Sequence, residues 1–168
     1  RWSYAGKILR DYHPHGRLSV ADVLKVSSNI GAAKISELLG QERLYRYLRD
    51  FGFGGTLGVD LPGEEIGILH PPRKWSKLSV SRIAMGQGVA VTALQMLNML
   101  CCIGNDGFLM RPYSVDRIVN KNGTVVKRNE PYVLARPIRG DTARLMCQMM
   151  ARVTEDGGTG TKARVPGY

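Results

Sequence analysis

Two side chains in this 168-residue sequence are spaced to work together on a peptide: Ser27 and Asn29, with Ser28 between them. A hydroxyl can relay a proton. A carboxamide both donates and accepts hydrogen bonds, which suits it to gripping a peptide unit. In an unbroken α-helix, residues two apart point about 200° from one another. In a turn or extended link they can point the same way. Convergence of the Ser27 hydroxyl and the Asn29 amide on one cleft therefore requires a break between helices here. The same residues could instead cap the helix that follows, and the tripeptide alone does not separate the two readings. Ser28 has no evident chemistry of its own; its backbone can help place its neighbours. Glu64 is a possible general base, although a loop carboxylate is more often solvated or a local cap.

Other chemistries find less support. His13 and His15 flank Pro14 without further ligands nearby, and no Cys/His spacing fits a metal site. No metal or cofactor is expected. Cys101, Cys102 and Cys147 lie in apolar helical contexts, and an odd count is no disulfide framework. They read as buried free thiols. The net charge of +10 admits nucleic acid, an anionic membrane surface or an acidic polymer. The basic residues are scattered, with Arg43, Arg46 and Arg49 on one helix and Arg73, Lys74 and Lys77 in a loop. That pattern, without an RNA-binding or zinc-finger signature, argues against nucleic acid. The longest apolar stretch, 89–103, is broken by Thr92, Gln95 and Asn98 and is too short and polar to span a bilayer. No signal-peptide pattern opens the chain.

The elements that must position Ser27 and Asn29 follow from local signals. Residues 1–17 read as an irregular lead-in. Ser19 can cap a short helix running to Val26. A second helix spans about 30–39 and stops at Gly40. A third spans 42–51, with Leu44, Tyr47, Leu48 and Phe51 on one face. Residues 52–78 are too rich in Gly and Pro for regular helix. They form either a linker or, the reading favoured here, a wrapped loop anchored by Leu57, Val59, Leu61, Ile66 and Ile68. Thr92 caps a helix over 93–103 that is apolar nearly all round and so belongs in a core. Runs 113–119 and 124–127 flank Asn120-Lys121-Asn122-Gly123, a hairpin signal. Tyr132-Val133-Leu134 can add a strand. A last helix spans 142–153, capped by Asp141, with a stripe of Leu145, Met146, Met149, Met150 and Val153. The tail from Gly157 to Tyr168 reads as loose. Together these make a mostly helical α+β body.

Four stretches in register carry a resemblance. Leu18 to Gly31, which contains Ser27-Ser28-Asn29, resembles the Ser-x-Asn segment of class B penicillin-binding proteins. Phe51-Gly52-Phe53-Gly54, Leu61-Pro62-Gly63-Glu64, Gly67 and Trp75 resemble the loop that follows it. Ala84-Met85-Gly86-Gln87-Gly88, then Val91-Thr92-Ala93-Leu94-Gln95-Met96, resemble that family's Gly-Gln-Gly turn and the helix behind it. Gly157 to Ala163 and Val165-Pro166-Gly167-Tyr168 resemble the approach to its Lys-Thr-Gly strand.

The resemblance implies the helical lobe of the penicillin-binding, serine β-lactamase-like transpeptidase fold, with a β-hairpin and an incomplete core sheet. In that family a Ser-x-x-Lys serine attacks the D-Ala-D-Ala carbonyl of a peptidoglycan stem peptide, and β-lactam antibiotics acylate the same serine. By the same resemblance Ser27 would shuttle a proton to the leaving amine. Asn29, with Ser28 beside it, would bind substrate. Gly86, Gln87 and Gly88 would shape the cleft wall. The parent protein would be anchored in the bacterial cytoplasmic membrane by a segment outside this chain. Its catalytic domain would lie on the extracytoplasmic, periplasmic side among other cell-wall synthesis proteins.

The departures are a missing Ser-x-x-Lys before Ser27 and a missing Lys-Thr-Gly. Thr159-Gly160-Thr161-Lys162 fits only a loose Thr-x-x-Lys pattern, in the wrong order. Residues 1–168 are thus expected to be a partial transpeptidase domain, inactive alone. A noncatalytic scaffold that kept the fold is the alternative from another class. A bifunctional synthase, a β-lactamase or a β-lactam sensor would be an enzymatic neighbour; the long Gly-Pro loop and the Gly-Gln-Gly stretch look closer to class B transpeptidases.

Overall fold

Helices start where a side-chain oxygen meets their free N–H groups. The computed structural model describes residues 1–166. Helix α1 (Val20–Lys25) begins after Ser19, whose Oγ accepts from the Asp22 N–H at 3.2 Å. Helix α2 (Asn29–Leu39) begins after Ser28, whose Oγ accepts from the Gly31 N–H at 2.9 Å. Gly40 separates α2 from α3 (Gln41–Asp50). Helix α5 (Ala93–Gly104) opens with a capping box: Gln95 N–H to Thr92 Oγ1 at 3.1 Å, and Thr92 N–H to Gln95 Oε1 at 3.0 Å. These starts and stops agree with the sequence reading to within a residue or two.

Two elements were not legible. Residues 2–9 form a hairpin, β1 (Trp2–Tyr4) and β2 (Lys7–Leu9), with Trp2 opposite Leu9. It is tied to α2 by the Tyr4 hydroxyl, which donates to Glu37 Oε2 at 2.5 Å. That bond raises the Tyr4 pKa, because loss of the phenol proton would set two anions side by side. The other element is α4 (Ser79–Ala84), which buries Val80, Ser81 and Ile83 and packs against α2. At six residues it is too short to show a period.

The remaining strands are short. β3 (Leu109–Met110) pairs antiparallel with β6 (Val133–Ala135). β4 (Arg117–Val119) pairs antiparallel with β5 (Val125–Arg128) across the Asn120–Gly123 turn, where Asn120 Oδ1 accepts from the N–H groups of Asn122 and Thr124. With β1–β2 these make three separate two-stranded pairs. The architecture is the mostly helical α+β body expected, with an incomplete sheet. Every residue of β4 and β5 is exposed. The hairpin is held at its base by Asp60, which accepts from the N–H groups of Ser114 (2.7 Å) and Val115 (2.9 Å). Those donors hold the Asp60 carboxyl below its ordinary range.

The long loop is wrapped, not a linker, and of its expected anchors Leu57 is the one fully buried. Leu57 is 1% exposed and Phe53 is buried, whereas Leu61, Ile66 and Ile68 are exposed. Polar clamps hold the loop instead. The Gln95 amide donates to the carbonyls of Gly55 (2.9 Å), Ile66 (3.1 Å) and Gly52 (3.3 Å). Glu64 accepts from the N–H groups of Leu57, Gly58 and Val59. Glu64 is therefore a local cap with its oxygens committed to the backbone, and not a general base.

Helix α5 inverts its expected burial. Gln95 and Asn98 are inside, while Leu97 is 58% exposed and Met96 and Leu100 face outward. The amides go inward because loop carbonyls wait there; Asn98 Nδ2 donates to Met110 O at 3.0 Å. Buried backbone groups must be satisfied, and that requirement outweighs the apolar preference of a half-exposed helix. The cysteines correct the reading too: Cys102 is buried, whereas Cys101 and Cys147 are exposed. Burial pushes the Cys102 thiol pKa up to about 11.

Helix α6 (Gly140–Ala151) starts after Arg139, not Asp141. Asp141 lies inside the first turn, paired with Arg139 at 3.0 Å, and its carboxyl is held below the ordinary range chiefly by that arginine. The tail is less loose than expected: Gly160 N–H bonds Val153 O, and Thr159 N–H bonds Lys25 O at 3.1 Å. Gly167 and Tyr168, part of the resemblance, lie outside the described residues. Among the described residues no helix is long and apolar enough to cross a membrane.

Candidate active site

The break that Ser27 and Asn29 require is present. Helix α1 ends with Val26 as C-cap, and Ser27 follows in the left-handed region at φ 54°. The Ser27 N–H bonds Leu24 O (3.1 Å) and the Ser28 N–H bonds Val23 O (3.0 Å). This is a Schellman ending with serine where glycine is usual. Ser28 then turns extended, at φ −71° and ψ 112°, and Asn29 is the first residue of α2. Ser27 and Asn29 are both exposed, while Ser28 between them is buried.

Ser28 departs from its expected share in substrate binding. It is 3% exposed. Its Oγ donates to Asp11 Oδ2 at 2.8 Å while accepting from the Gly31 N–H. Its one proton is committed to Asp11 and the side chain is buried, so it does not face a substrate; it is the helix cap, the plainer of the two readings. Asp11 was missed altogether. It also accepts from the Ile30 N–H at 2.9 Å. An aspartate so far upstream of Ser28 has no periodic or spacing signal that could have pointed to it.

Asn29 lines a groove of about 350 Å³, together with Ser81, Met85 and Gln87 and the cations Lys7, Arg10 and Arg82. Strand β2, the start of α2 and the end of α4 form its walls. No carboxylate is among its lining residues, so it suits an anionic or carbonyl-rich ligand. Ser27 is not part of that lining. The structure therefore places Gln87, but not Ser27, in the groove with Asn29.

Gly86-Gln87-Gly88 is the C-terminal ending of α4. The Gly86 N–H bonds Ile83 O and the Gln87 N–H bonds Arg82 O, each at 2.9 Å. Gly86 and Gly88 are both left-handed, with φ 80° and φ 77°. Glycine tolerates that region without Cβ strain. The expected wall turn is thus a second Schellman ending, and it presents Gln87. Among the described residues no three His, Cys, Asp or Glu side chains are grouped to hold a metal ion.

Ser27 occupies the strained slot that Gly86 fills at the other ending. Ser27→Gly is expected to raise the unfolding free energy by about 1 kcal/mol, by relieving the left-handed penalty. Chemical denaturation of this chain measures it; an unchanged or lower midpoint contradicts the strain.

A basic groove at a Ser-x-Asn helix junction, faced by a Gly-Gln-Gly turn, defines the helical lobe of a penicillin-binding transpeptidase domain. The description "Penicillin binding protein transpeptidase domain" fits residues 1–168, and the chain belongs to that family. It is 36% identical to penicillin-binding protein PbpB of Mycolicibacterium smegmatis over 97% of this chain and 26% of that protein. It is 34% identical to stage V sporulation protein D of Bacillus subtilis over 92% of this chain and 24% of that protein. The fold superposes with a TM-score of 0.88 on a crystal structure of penicillin binding protein 3 from Mycobacterium tuberculosis complexed with aztreonam, at 36% identity, covering 97% of this chain and 38% of that one. The chain spans about a quarter of the length of the curated relatives it matches.

Proposed function

We propose that this chain is the Ser-x-Asn lobe of a peptidoglycan D,D-transpeptidase, which cross-links stem peptides through an acyl-serine intermediate and is acylated by β-lactams. One observation carries the reading: exposed Ser27 and Asn29 flank a locked Ser28 at a helix break, and Asn29 opens into a cationic groove shared with Gln87. Asn29 hydrogen-bonds the amide of the bound acyl group, using its donor and its acceptor together. Ser27 relays a proton to the leaving amine from the mouth of the site. The groove cations hold the substrate's carboxylate side. The nucleophile and the Lys-Thr-Gly strand come from chain outside this sequence, in a protein anchored at the extracytoplasmic face of the cytoplasmic membrane with other cell-wall synthesis proteins. Two relatives are named for related activities: "Probable peptidoglycan D,D-transpeptidase PenA" of Neisseria meningitidis and "Peptidoglycan D,D-transpeptidase FtsI" of Escherichia coli.

The test is covalent labelling by a fluorescent penicillin. This chain alone is expected to give no labelled band, because covalent catalysis needs the activated serine. The full-length gene product is expected to be labelled. A band from the chain alone refutes the division of the site; a full-length protein that resists labelling makes it a noncatalytic scaffold of the same fold.

A further inference from the structure

We propose that Asp11 is a positioning residue of this site: by joining the Ile30 amide to the Ser28 hydroxyl, it fixes the helix junction that sets Asn29 in the groove. What Asn29 does there rests on the transpeptidase reading. How the junction is held rests on the hydrogen bonds alone.

Asp11 lies in the link between β2 and α1, far in sequence from the junction it grips. One carboxylate oxygen accepts from the Ile30 N–H at 2.9 Å and the other from Ser28 Oγ at 2.8 Å. Ser28 Oγ in turn accepts from the Gly31 N–H at 2.9 Å. The carboxylate thus occupies the N-terminal end of the α2 helix, where negative charge is favoured.

Capping accounts for the bond from the Ile30 N–H but not for the one from Ser28 Oγ. The carboxylate adds control of the Ser28 side chain. It accepts the hydroxyl's hydrogen bond, so a lone pair of that oxygen faces the Gly31 N–H and the rotamer is held. The opposite side of the junction is closed by packing: a Cβ at Gly31 would collide with Val23 Cγ2 and lie 3.1 Å from Ser28 Oγ. Held from both sides, Ser28 cannot turn, and its neighbours must project away from it. Left-handed Ser27 needs such support. A non-glycine residue persists in that region only where its surroundings over-determine it.

Asp11→Ala removes both acceptor oxygens and leaves the Ile30 N–H and the Ser28 hydroxyl without their partner. The first readout is hydrogen exchange in this chain. The Ile30 and Gly31 amides are expected to exchange on the order of tenfold faster, with the α5 amides unchanged. The second is acylation of the full-length protein by benzylpenicillin and by 6-aminopenicillanic acid, which lacks the side-chain amide that Asn29 would grip. The ratio of the two rates is expected to fall about tenfold, because a misaimed Asn29 no longer distinguishes them. Ser28→Ala breaks the same link from its other end and should reproduce the fall. The double variant should be no worse than the more severe single one.

Faster exchange with a reduced ratio supports the proposal. Unchanged exchange overturns it, whatever the acylation rates. Faster exchange with an unchanged ratio, or with both β-lactams slowed equally, also overturns it and leaves Asp11 as a helix cap only. If the wild-type protein is not acylated at all, the transpeptidase reading fails and a positioning role in that reaction fails with it; the exchange data then establish the hydrogen bonds alone.

Discussion

Gln95→Leu is expected to lower the unfolding free energy of this chain by about 4 kcal/mol, enough to unfold a marginal domain. Gln95 is 1% exposed, and its amide reaches three loop carbonyls while its oxygen closes the capping box of α5. Leucine of similar size fills the space and makes none of those bonds. Each carbonyl left without its donor against the buried end of α5 costs up to about 1–3 kcal/mol. The gain in apolar burial offsets part of that and no more. Urea or thermal unfolding of the variant measures the loss. A variant within about 0.5 kcal/mol of the parent, the usual scale of surface substitutions, would mean the loop is held without Gln95, by Glu64, Phe53 and Leu57. Gln95→Glu should be at least as damaging, because it directs a carboxylate at carbonyl oxygens.

The second large effect is expected from Gly67→Ala, at about 3 kcal/mol. Gly67 is left-handed, at φ 66°. An added Cβ there brings a penalty of about 1–2 kcal/mol. The position is also crowded by backbone, which cannot rotate away: the Cβ would collide with Ala90 O and lie 3.3 Å from Gln95 Oε1. That carbonyl accepts from the Ile68 N–H at 2.7 Å, and the Ala90 N–H returns a bond to Ile68 O at 2.9 Å. Relief of the clash must therefore open the isolated bridge, outside the named strands, that joins the loop to the segment entering α5. Overpacking of this kind adds about 1–3 kcal/mol. Unfolding midpoints for Gly67→Ala and its combination with Gln95→Leu test the coupling: the two losses should not add, since both variants release the same loop. A fully additive pair, or a Gly67→Ala variant as stable as the parent, contradicts the clamp.

Both effects fall on a loop that was recognised as wrapped and whose anchors were legible only at Leu57. The aliphatics Leu57, Val59, Leu61, Ile66 and Ile68 suggested side-chain anchors, yet Leu61, Ile66 and Ile68 stay exposed. The segment's Gly and Pro leave many backbone groups outside helix or sheet. Those groups recruited Gln95 and Glu64, polar residues that composition assigns to the surface. The same requirement explains α5, where the amides of Gln95 and Asn98 displaced Leu97 and Leu100 from the inward face.

What the sequence by itself determined is local. Ser19, Ser28 and Thr92 mark where helices begin, Gly40 marks where one ends, and the break at Ser27-Ser28-Asn29 follows, because caps and endings are hydrogen bonds within about five residues of chain. The order of motifs placed the chain in its family for the same reason: each is a short contiguous run. Tertiary structure alone decided which side of α5 is buried, that Glu64 is a clamp, that Asn29 and Gln87 share a groove, and that Asp11 grips Ser28. Those are pairings between distant segments, made by carboxylates and amides that satisfy buried backbone donors and acceptors, and such pairings leave no period or spacing in the sequence.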